Sequence, residues 1–274
     1  SNADKITSDS SDYKIQKMGD ELLLCTNSTT LHTHPVCGTN CTHTGDDAHS
    51  TLTWQGISAL SEIKKSGNYY LKNDITLSEV WKVPYDINLC LNNHKIITKN
   101  YSDYYIDVKA SDDNTPHTVS LCNPHEQKAS CIGVIVENKC ELNLYDNVEI
   151  TRESGSGVCI NDGSTFTMYG GTISNSKCGV AVNGSTFIMN GGSITQNTID
   201  TNGGGVCVEN NGTFTMNGGD IFQNKANDGY SSMVPIKYGC GVCVISGSTF
   251  TMNGGSIFQN TASRATLGGG VYVK

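Results

Sequence analysis

One short pattern occurs four times between residues 163 and 274. The copies begin GSTFTMYGGTIS (163–174), GSTFIMNGGSIT (184–195), NGTFTMNGGDIF (211–222) and GSTFTMNGGSIF (247–258). Their phenylalanines are 21, 27 and 36 residues apart, and the isoleucines that follow the Gly-Gly pairs repeat at the same intervals. Self-similarity at this period is typical of a solenoid built from stacked coils.

The repeats vary in length at one place. The isoleucine always follows the phenylalanine by seven residues, so the differences lie between the isoleucine and the next Gly-Val-x-Val segment. Each coil is therefore expected to tolerate insertions at one loop, and these loops are expected to emerge at one edge of the stack.

The pattern indicates strands rather than helices. Thr-Phe-Thr-Met and Gly-Val-x-Val alternate with period two, which places every second side chain on the same face. The Gly-Gly pairs mark bends. Three short strands in about 21 residues form the smallest coil of a parallel β-helix, so we expect an all-β, single-stranded parallel β-helix.

Stacked coils place like residues above like residues. We expect ladders of phenylalanine, methionine, isoleucine and valine, the last through Val180, Val206, Val242 and Val271. Three residues after each isoleucine comes Ser176, Asn197, Asn224 or Asn260. This position predicts an amide ladder in which each side chain bonds to the next coil.

The chain divides into three parts. Residues 1–3, Ser-Asn-Ala, are interpreted as the remnant of a cleaved tag. Residues 4–51 form an N-terminal segment with a small Cys/His-rich module, and residues 52–274 form the β-helix. The final GGGVYVK stops within the repeat pattern, so the natural chain is expected to continue. An uncapped coil leaves an open edge, which predicts a monomer or a weak end-to-end contact.

A cluster of histidines and cysteines predicts a structural zinc site. Its candidate ligands are His32, His34, Cys37, Cys41, His43 and His49. Imidazole and thiolate are preferred zinc ligands, and a closed site can hold together a segment with little core. A Cys37–Cys41 disulfide beside surface histidines, or a solvated stretch, are the alternatives.

A short capping helix is predicted over residues 54–65, WQGISALSEIKK. Ile57, Leu60 and Ile63 have helical spacing, and Ser58 or Ser61 could cap the helix. Such a helix would cover the open end of the first coil.

Several segments resemble a known group of proteins. They are GNYYLKNDITLSEVWKV (67–83), INLCLNNHKIIT (87–98), VSLCN (119–123) and GVCINDGSTFTMYGGTIS (157–174). Together with the HTHPVCG stretch (32–38), they are similar to large cell-surface proteins of gut Firmicutes that resemble pectate-lyase-like repeat proteins. The resemblance implies a right-handed parallel β-helix, an extracellular, cell-wall-associated setting and an adhesin or glycan-contacting role.

Composition bears on partners and on the cysteines. With 16% charged residues and a net charge of −8, the chain has no basic stripe for nucleic acid. No apolar run is long enough to span a membrane. Several of the twelve cysteines share repeat positions with alanine, glycine or tyrosine, so we expect free thiols that fill space.

The repeat sequences contain no recognisable catalytic arrangement. Acids and bases fall at different repeat positions, and no nucleophile motif is present, so the interpretation is a non-catalytic protein. The 225–239 insertion supplies candidate contact residues for a glycan or a host or cell-surface protein, namely Tyr230, Met233, Pro235, Ile236 and Tyr238. Alternatively, this loop folds onto the coil wall. A polysaccharide lyase or glycoside hydrolase, and a purely structural stalk, are the other functional hypotheses.

Overall fold

The fold was derived from a computed structural model, which describes residues 54–99, 105–110, 114–124, 127–199, 203–226, 237–262, 266–267 and 269–274. Before residue 54, the backbone of four strands is described. For residues 237–238, 262 and 266–267, too, only the backbone is described. Strands are numbered β1 to β34 in chain order.

Three long parallel sheets form the body of the molecule. We name each after its repeated residue. The threonine sheet has nine strands: β5 (Trp54–Ile57), β6 (Gly67–Leu71), β9 (Ile87–Cys90), β12 (Thr118–Cys122), β15 (Glu141–Leu144), β18 (Thr165–Met168), β21 (Thr186–Met189), β25 (Thr213–Met216) and β30 (Thr249–Met252).

The other two long sheets have eight strands each. The isoleucine sheet contains β7 (Ile75–Leu77), β10 (Lys95–Thr98), β13 (Ala129–Ile132), β16 (Val148–Thr151), β19 (Thr172–Ser174), β22 (Ser193–Thr195), β26 (Asp220–Phe222) and β31 (Ser256–Phe258). The valine sheet contains β8 (Trp81–Val83), β11 (Ile106–Val108), β14 (Val134–Val136), β17 (Ser156–Ile160), β20 (Cys178–Asn183), β24 (Val206–Glu209), β29 (Val242–Val244) and β34 (Val271–Val273).

The chain visits the three sheets in a fixed order. From β6 onward, each coil contributes one strand to the threonine sheet, one to the isoleucine sheet and one to the valine sheet. Strands at the same place in successive coils pair in parallel, so the fold is an all-β parallel solenoid, as the repeat predicted. The regular ladder also extends upstream of the obvious repeats, to Trp54.

The interior consists of the predicted ladders. Phe166, Phe187, Phe214 and Phe250 stack with ring centroids 4.9, 4.7 and 4.9 Å apart. The isoleucine and valine ladders are in register through all four repeats, as predicted. The first three phenylalanines are fully buried, because each has a coil on both sides. Burial of this stacked apolar column is the main source of stability.

The predicted amide ladder is confirmed. The Asn197 Nδ2 donates to Asn224 Oδ1 at 2.9 Å, and Asn224 Nδ2 donates to Asn260 Oδ1 at 3.0 Å. In the first repeat, Ser176 lacks an amide, and its backbone N–H donates to Asn197 Oδ1 at 3.0 Å. Asn197 and Asn224 are fully buried, and the ladder satisfies polar groups that would otherwise be orphaned at this bend.

The second glycine of each Gly-Gly pair adopts a left-handed backbone. Gly192 has φ +82°, and a Cβ there would lie 2.6 Å from Met168 Cε and 2.7 Å from Gly170 O. A side chain would therefore strain the backbone and collide with the preceding coil, which explains why the pair recurs.

The predicted capping helix is wrong. Residues Trp54–Ile57 form β5, which pairs in parallel with β6, and within residues 54–65 helical geometry is confined to a 3₁₀ turn at Leu60–Glu62. The open hydrogen-bonding edge of β6 stabilises an added strand more than a short isolated helix could stabilise itself. Ile57, Leu60 and Ile63 are nevertheless buried, so the apolar spacing did identify core residues.

Outside the long sheets lie short pairings. Before residue 54, β1 (Tyr13–Met18) pairs antiparallel with β2 (Glu21–Thr26), and β3 (Leu31–Thr33) pairs antiparallel with β4 (Thr42–Thr44). Three two-residue strands form a small parallel sheet: β23 (Thr198–Ile199), β27 (Lys225–Ala226) and β32 (Thr261–Ala262). Another pair is β28 (Lys237–Tyr238) with β33 (Thr266–Leu267). Within the described residues, no helix is long and apolar enough to cross a membrane.

Candidate contact surface

In the four repeats, the insertions leave the solenoid at one edge. The chain enters β23, β27 and β32 directly after Asn197, Asn224 and Asn260, the residues of the amide ladder. The backbone N–H of Thr198 donates to Ser176 O at 2.8 Å, and that of Lys225 donates to Asn197 O at 2.8 Å. We call this side, where the chain passes from the isoleucine sheet to the valine sheet, the insertion edge.

The longest insertion is fixed at both of its ends. Its first residues, Lys225–Ala226, pair with Thr198–Ile199 of the preceding coil, which confirms that the two insertions begin side by side. Its last residues, Lys237–Tyr238, pair with Thr266–Leu267 of the next coil. The predicted contact residues Tyr230, Met233, Pro235 and Ile236 lie outside the described residues, and Tyr238 is described by its backbone alone.

The predicted zinc ligands fall mostly outside the described residues. The structure does not describe His34, Cys37, Cys41 or His49. His32 and His43 lie in β3 and β4, where they are directly paired across the antiparallel ladder. In the part of the chain that the structure describes, no three His, Cys, Asp or Glu residues are grouped so as to hold a metal ion.

The outer face of the threonine sheet is a second regular surface. Thr165, Thr186 and Thr213 align in one row, and all three are partly exposed. One position beyond each methionine, an exposed amide row joins Asn190, Asn217 and Asn253, with Nδ2 to Oδ1 distances of 2.9 and 2.8 Å. These two rows carry no charge, so they suit hydrogen bonding to a neutral partner.

Two stacked tyrosines continue the amide row towards the N-terminus. The rings of Tyr145 and Tyr169 lie 4.9 Å apart and nearly parallel, and Tyr169 is exposed. An exposed aromatic ring beside hydroxyl and amide groups offers both apolar and polar contacts. Sequence reasoning missed this face because it used the Thr-Phe-Thr-Met motif only for its inward residues, although the same alternation fixes the outward ones.

A polar corner lies between the valine and threonine sheets in the early coils. His117 is 8% exposed, and neither ring nitrogen has a hydrogen-bond partner. Its Nδ1 lies 4.0 Å from Asp86 Oδ1, and its backbone N–H donates to Cys140 Sγ at 3.3 Å. Burial raises the pKa of the Cys140 thiol, and the nearby carboxylates of Asp107 and Asp86 raise it further. A thiol held protonated in this way is a poor nucleophile.

Asp107, near the same corner, is a buried carboxylate with an unpartnered oxygen. It is 8% exposed, and its Oδ1 has no hydrogen-bond partner. Burial raises the pKa of Asp107, Glu137 raises it further, and Lys109 and Lys82 offset only part of this effect. The carboxyl group of Asp107 thus binds its proton more tightly in the folded protein than in the unfolded chain. At neutral pH, where the group is ionised, it therefore destabilises the fold.

Asp107→Asn is therefore expected to stabilise the protein at neutral pH by about 1 kcal/mol. The gain should shrink as the pH falls into the range where wild-type Asp107 is protonated, because the two side chains are then both neutral. Denaturant unfolding at neutral and acid pH measures this. Glu153→Gln, at an exposed carboxylate, should change the unfolding free energy by less than about 0.5 kcal/mol. An equal gain at both pH values would contradict the argument.

The coil cysteines are thiols packed into the sheets. The nine that lie in the described coils form no disulfide with one another. Cys131 is typical, since burial raises the pKa of its thiol to about 12. This agrees with the expectation that most of these cysteines fill space.

No protein-family profile, no curated protein and no solved structure matches the chain significantly.

Proposed function

We propose that this chain is a non-catalytic, exported cell-surface protein in which a rigid, right-handed parallel β-helix holds contact loops towards a glycan or a surface protein. The setting would be extracellular and wall-associated. The cell-surface resemblance of residues 32–274 supports this setting. Right-handedness is favoured because crossover connections between parallel strands are almost always right-handed.

The insertion edge is the observation that carries the proposal. Insertions of different lengths begin at the same ladder position, and residues 227–236 lie between two short strands that pair with neighbouring coils. The register of the core sheets continues unchanged on both sides of this insertion. Variable segments on a rigid scaffold are the usual arrangement of a recognition surface.

A glycan is the favoured partner class. The insertion contains Tyr230 and Tyr238 beside several small polar residues, and such aromatic side chains suit the apolar face of a sugar ring. The neutral threonine and amide rows offer hydrogen bonds to sugar hydroxyls without demanding a charged ligand. A protein partner stays as an outcome of the test.

Glycan-array binding tests the proposal. Replacing residues 227–236 by a short Gly-Ser linker is expected to abolish binding while the thermal midpoint stays near that of the wild type. As a matched control, replacing residues 200–202 of the preceding insertion should retain most of the binding. Binding that survives the longer replacement would move the contact to another surface, such as the threonine and amide rows, and absence of binding by the wild type would favour a structural stalk. Product formation in parallel lyase and reducing-sugar assays would instead favour the carbohydrate-active enzyme.

A structural zinc ion in the N-terminal module is a further part of the proposal. The pairing of β3 with β4 supports it, because it brings the backbones of His32 and His43 directly opposite each other. Protein purified without chelator is expected to contain stoichiometric zinc by elemental analysis. His32→Ala should lower that content, whereas His94→Ala, in the second coil, should not. Wild-type protein without zinc would refute the site.

A further inference from the structure

Cys207 and Cys243 are directly paired on neighbouring parallel strands of the valine sheet. Adjacent strands lie about 4.8 Å apart. A disulfide requires a Cα separation of about 4.4–6.8 Å. The backbone therefore already holds the two cysteines within bonding range.

The two thiols also contact each other. They share a side-chain hydrogen bond, which lowers the pKa of Cys243 and raises that of Cys207. Cys207 is partly exposed, between the inward-facing Val206 and Val208, so a small reagent can reach it, whereas Cys243 is fully buried behind it.

The same row of the sheet provides a comparison. In successive coils it contains Cys159, Ala181, Cys207, Cys243 and Tyr272. Cys159 pairs with Ile135 and Ala181, so it has no cysteine directly above or below it. Cys90 and Cys122 are also in register, but both are at most 2% exposed. Among the described cysteines, the 207–243 pair is the one in-register pair with a partly exposed member, Cys207.

We propose that Cys207 and Cys243 are a redox modification site, and that they form a disulfide between adjacent coils on exposure to a small-molecule disulfide. One protein thiolate attacks a sulfur of the reagent R–S–S–R and releases R–S⁻. The second protein thiolate then attacks the protein sulfur of the mixed disulfide and releases the other R–S⁻. Two electrons pass to the reagent, and the two cysteine protons end on the two released thiols.

This bond would enclose the longest insertion in a covalent ring. The chain between the two cysteines includes residues 225–239, so oxidation fixes the base of that loop on both sides. Closing a loop of this length in the unfolded chain raises stability, provided that the native geometry is not strained.

The experiment treats the full chain with oxidised glutathione, alkylates the remaining thiols under denaturing conditions and maps the peptides by mass spectrometry. The expected result is a Cys207–Cys243 linked peptide, with two fewer alkylated cysteines and an upward shift of the thermal midpoint. Glutathione that stays attached to either cysteine would overturn the proposal, as would full alkylation of both or a link from either to Cys178.

Matched variants exclude an unspecific reaction. Cys207→Ala places in this coil the residue that Ala181 provides in the preceding one, so it should fold and lose the linked peptide and the thermal shift. Cys243→Ser should lose both as well. Cys159→Ala should keep both. Retention of the thermal shift in Cys207→Ala, or its loss in Cys159→Ala, would contradict the assignment.

Discussion

Phe214→Ala is expected to lower the free energy of unfolding by about 4 kcal/mol, the range seen when a fully buried aromatic side chain is truncated. The ring is fully buried, and it stacks on Phe187 at 4.7 Å and on Phe250 at 4.9 Å. Removing it opens a cavity and interrupts two aromatic contacts at once, because the coils on either side cannot move together without breaking the register of three sheets. Equilibrium denaturation measures the loss.

The same coil offers a matched control for Phe214. Phe222 also stacks on a phenylalanine of the next coil, Phe258, at 5.1 Å, but it faces outwards and is only partly buried. Phe222→Ala should lower the free energy of unfolding by about 1 kcal/mol, because it removes one stacked aromatic pair but leaves no buried cavity. Equal costs at the two positions would show that stacking, rather than burial in the column, dominates.

Asn224→Ala is expected to cost about 3 kcal/mol. Its Nδ2 donates to Ile194 O at 2.9 Å and to Asn260 Oδ1 at 3.0 Å. Its Oδ1 accepts from the backbone N–H and from Nδ2 of Asn197, at 3.1 and 2.9 Å. Alanine leaves these partners unsatisfied, and the Asn197 groups and Ile194 O are buried, so each loss carries a desolvation penalty as well as a lost bond.

Asn217 is the matched control for Asn224. It lies in the same coil and forms the same kind of side-chain ladder, with Asn190 and Asn253, but on the exposed outer row. Water can replace its partners, so Asn217→Ala should cost less than about 0.5 kcal/mol. Denaturant unfolding of the two variants in parallel tests the difference. A cost for Asn224→Ala no larger than that for Asn217→Ala would contradict the role given to the buried ladder.

The repeat made the core predictable from sequence. Phe187 and Phe214 recur in the same Thr-Phe-x-Met-Asn-Gly-Gly pattern, and parallel coils leave one register in which both can be buried, so the ladders followed from spacing alone. Residues 54–65 were predicted wrongly because their apolar spacing fits both a helix and an edge strand. The open edge of the neighbouring strand decided between the two, and that edge is a tertiary feature with no local sequence signal.

The candidate surfaces were less predictable than the core. The corner that contains Asp107 and His117 depends on how an irregular connection between β11 and β12 returns to the stack, and no periodicity describes that connection. The register of Cys207 with Cys243, in contrast, followed from the repeat, although the sequence could not distinguish a packed thiol from a reactive pair. The outward threonine row could have been predicted from the period-two alternation, but the motif was used only to assign the inward residues.

The hydrogen bonds between coils have a mechanical consequence, since in all three sheets they point along the solenoid axis. Tension applied between the two ends would act on every interface between neighbouring coils, one after another along the axis. At each interface, the hydrogen bonds of all three sheets would share the force. The weakest interface between two coils should separate first, and the others should follow one at a time. The slack released at each step would be unequal, because successive repeats contain 21, 27 and 36 residues. Pulled at both ends, such a rod would lengthen in uneven jumps rather than stretch smoothly.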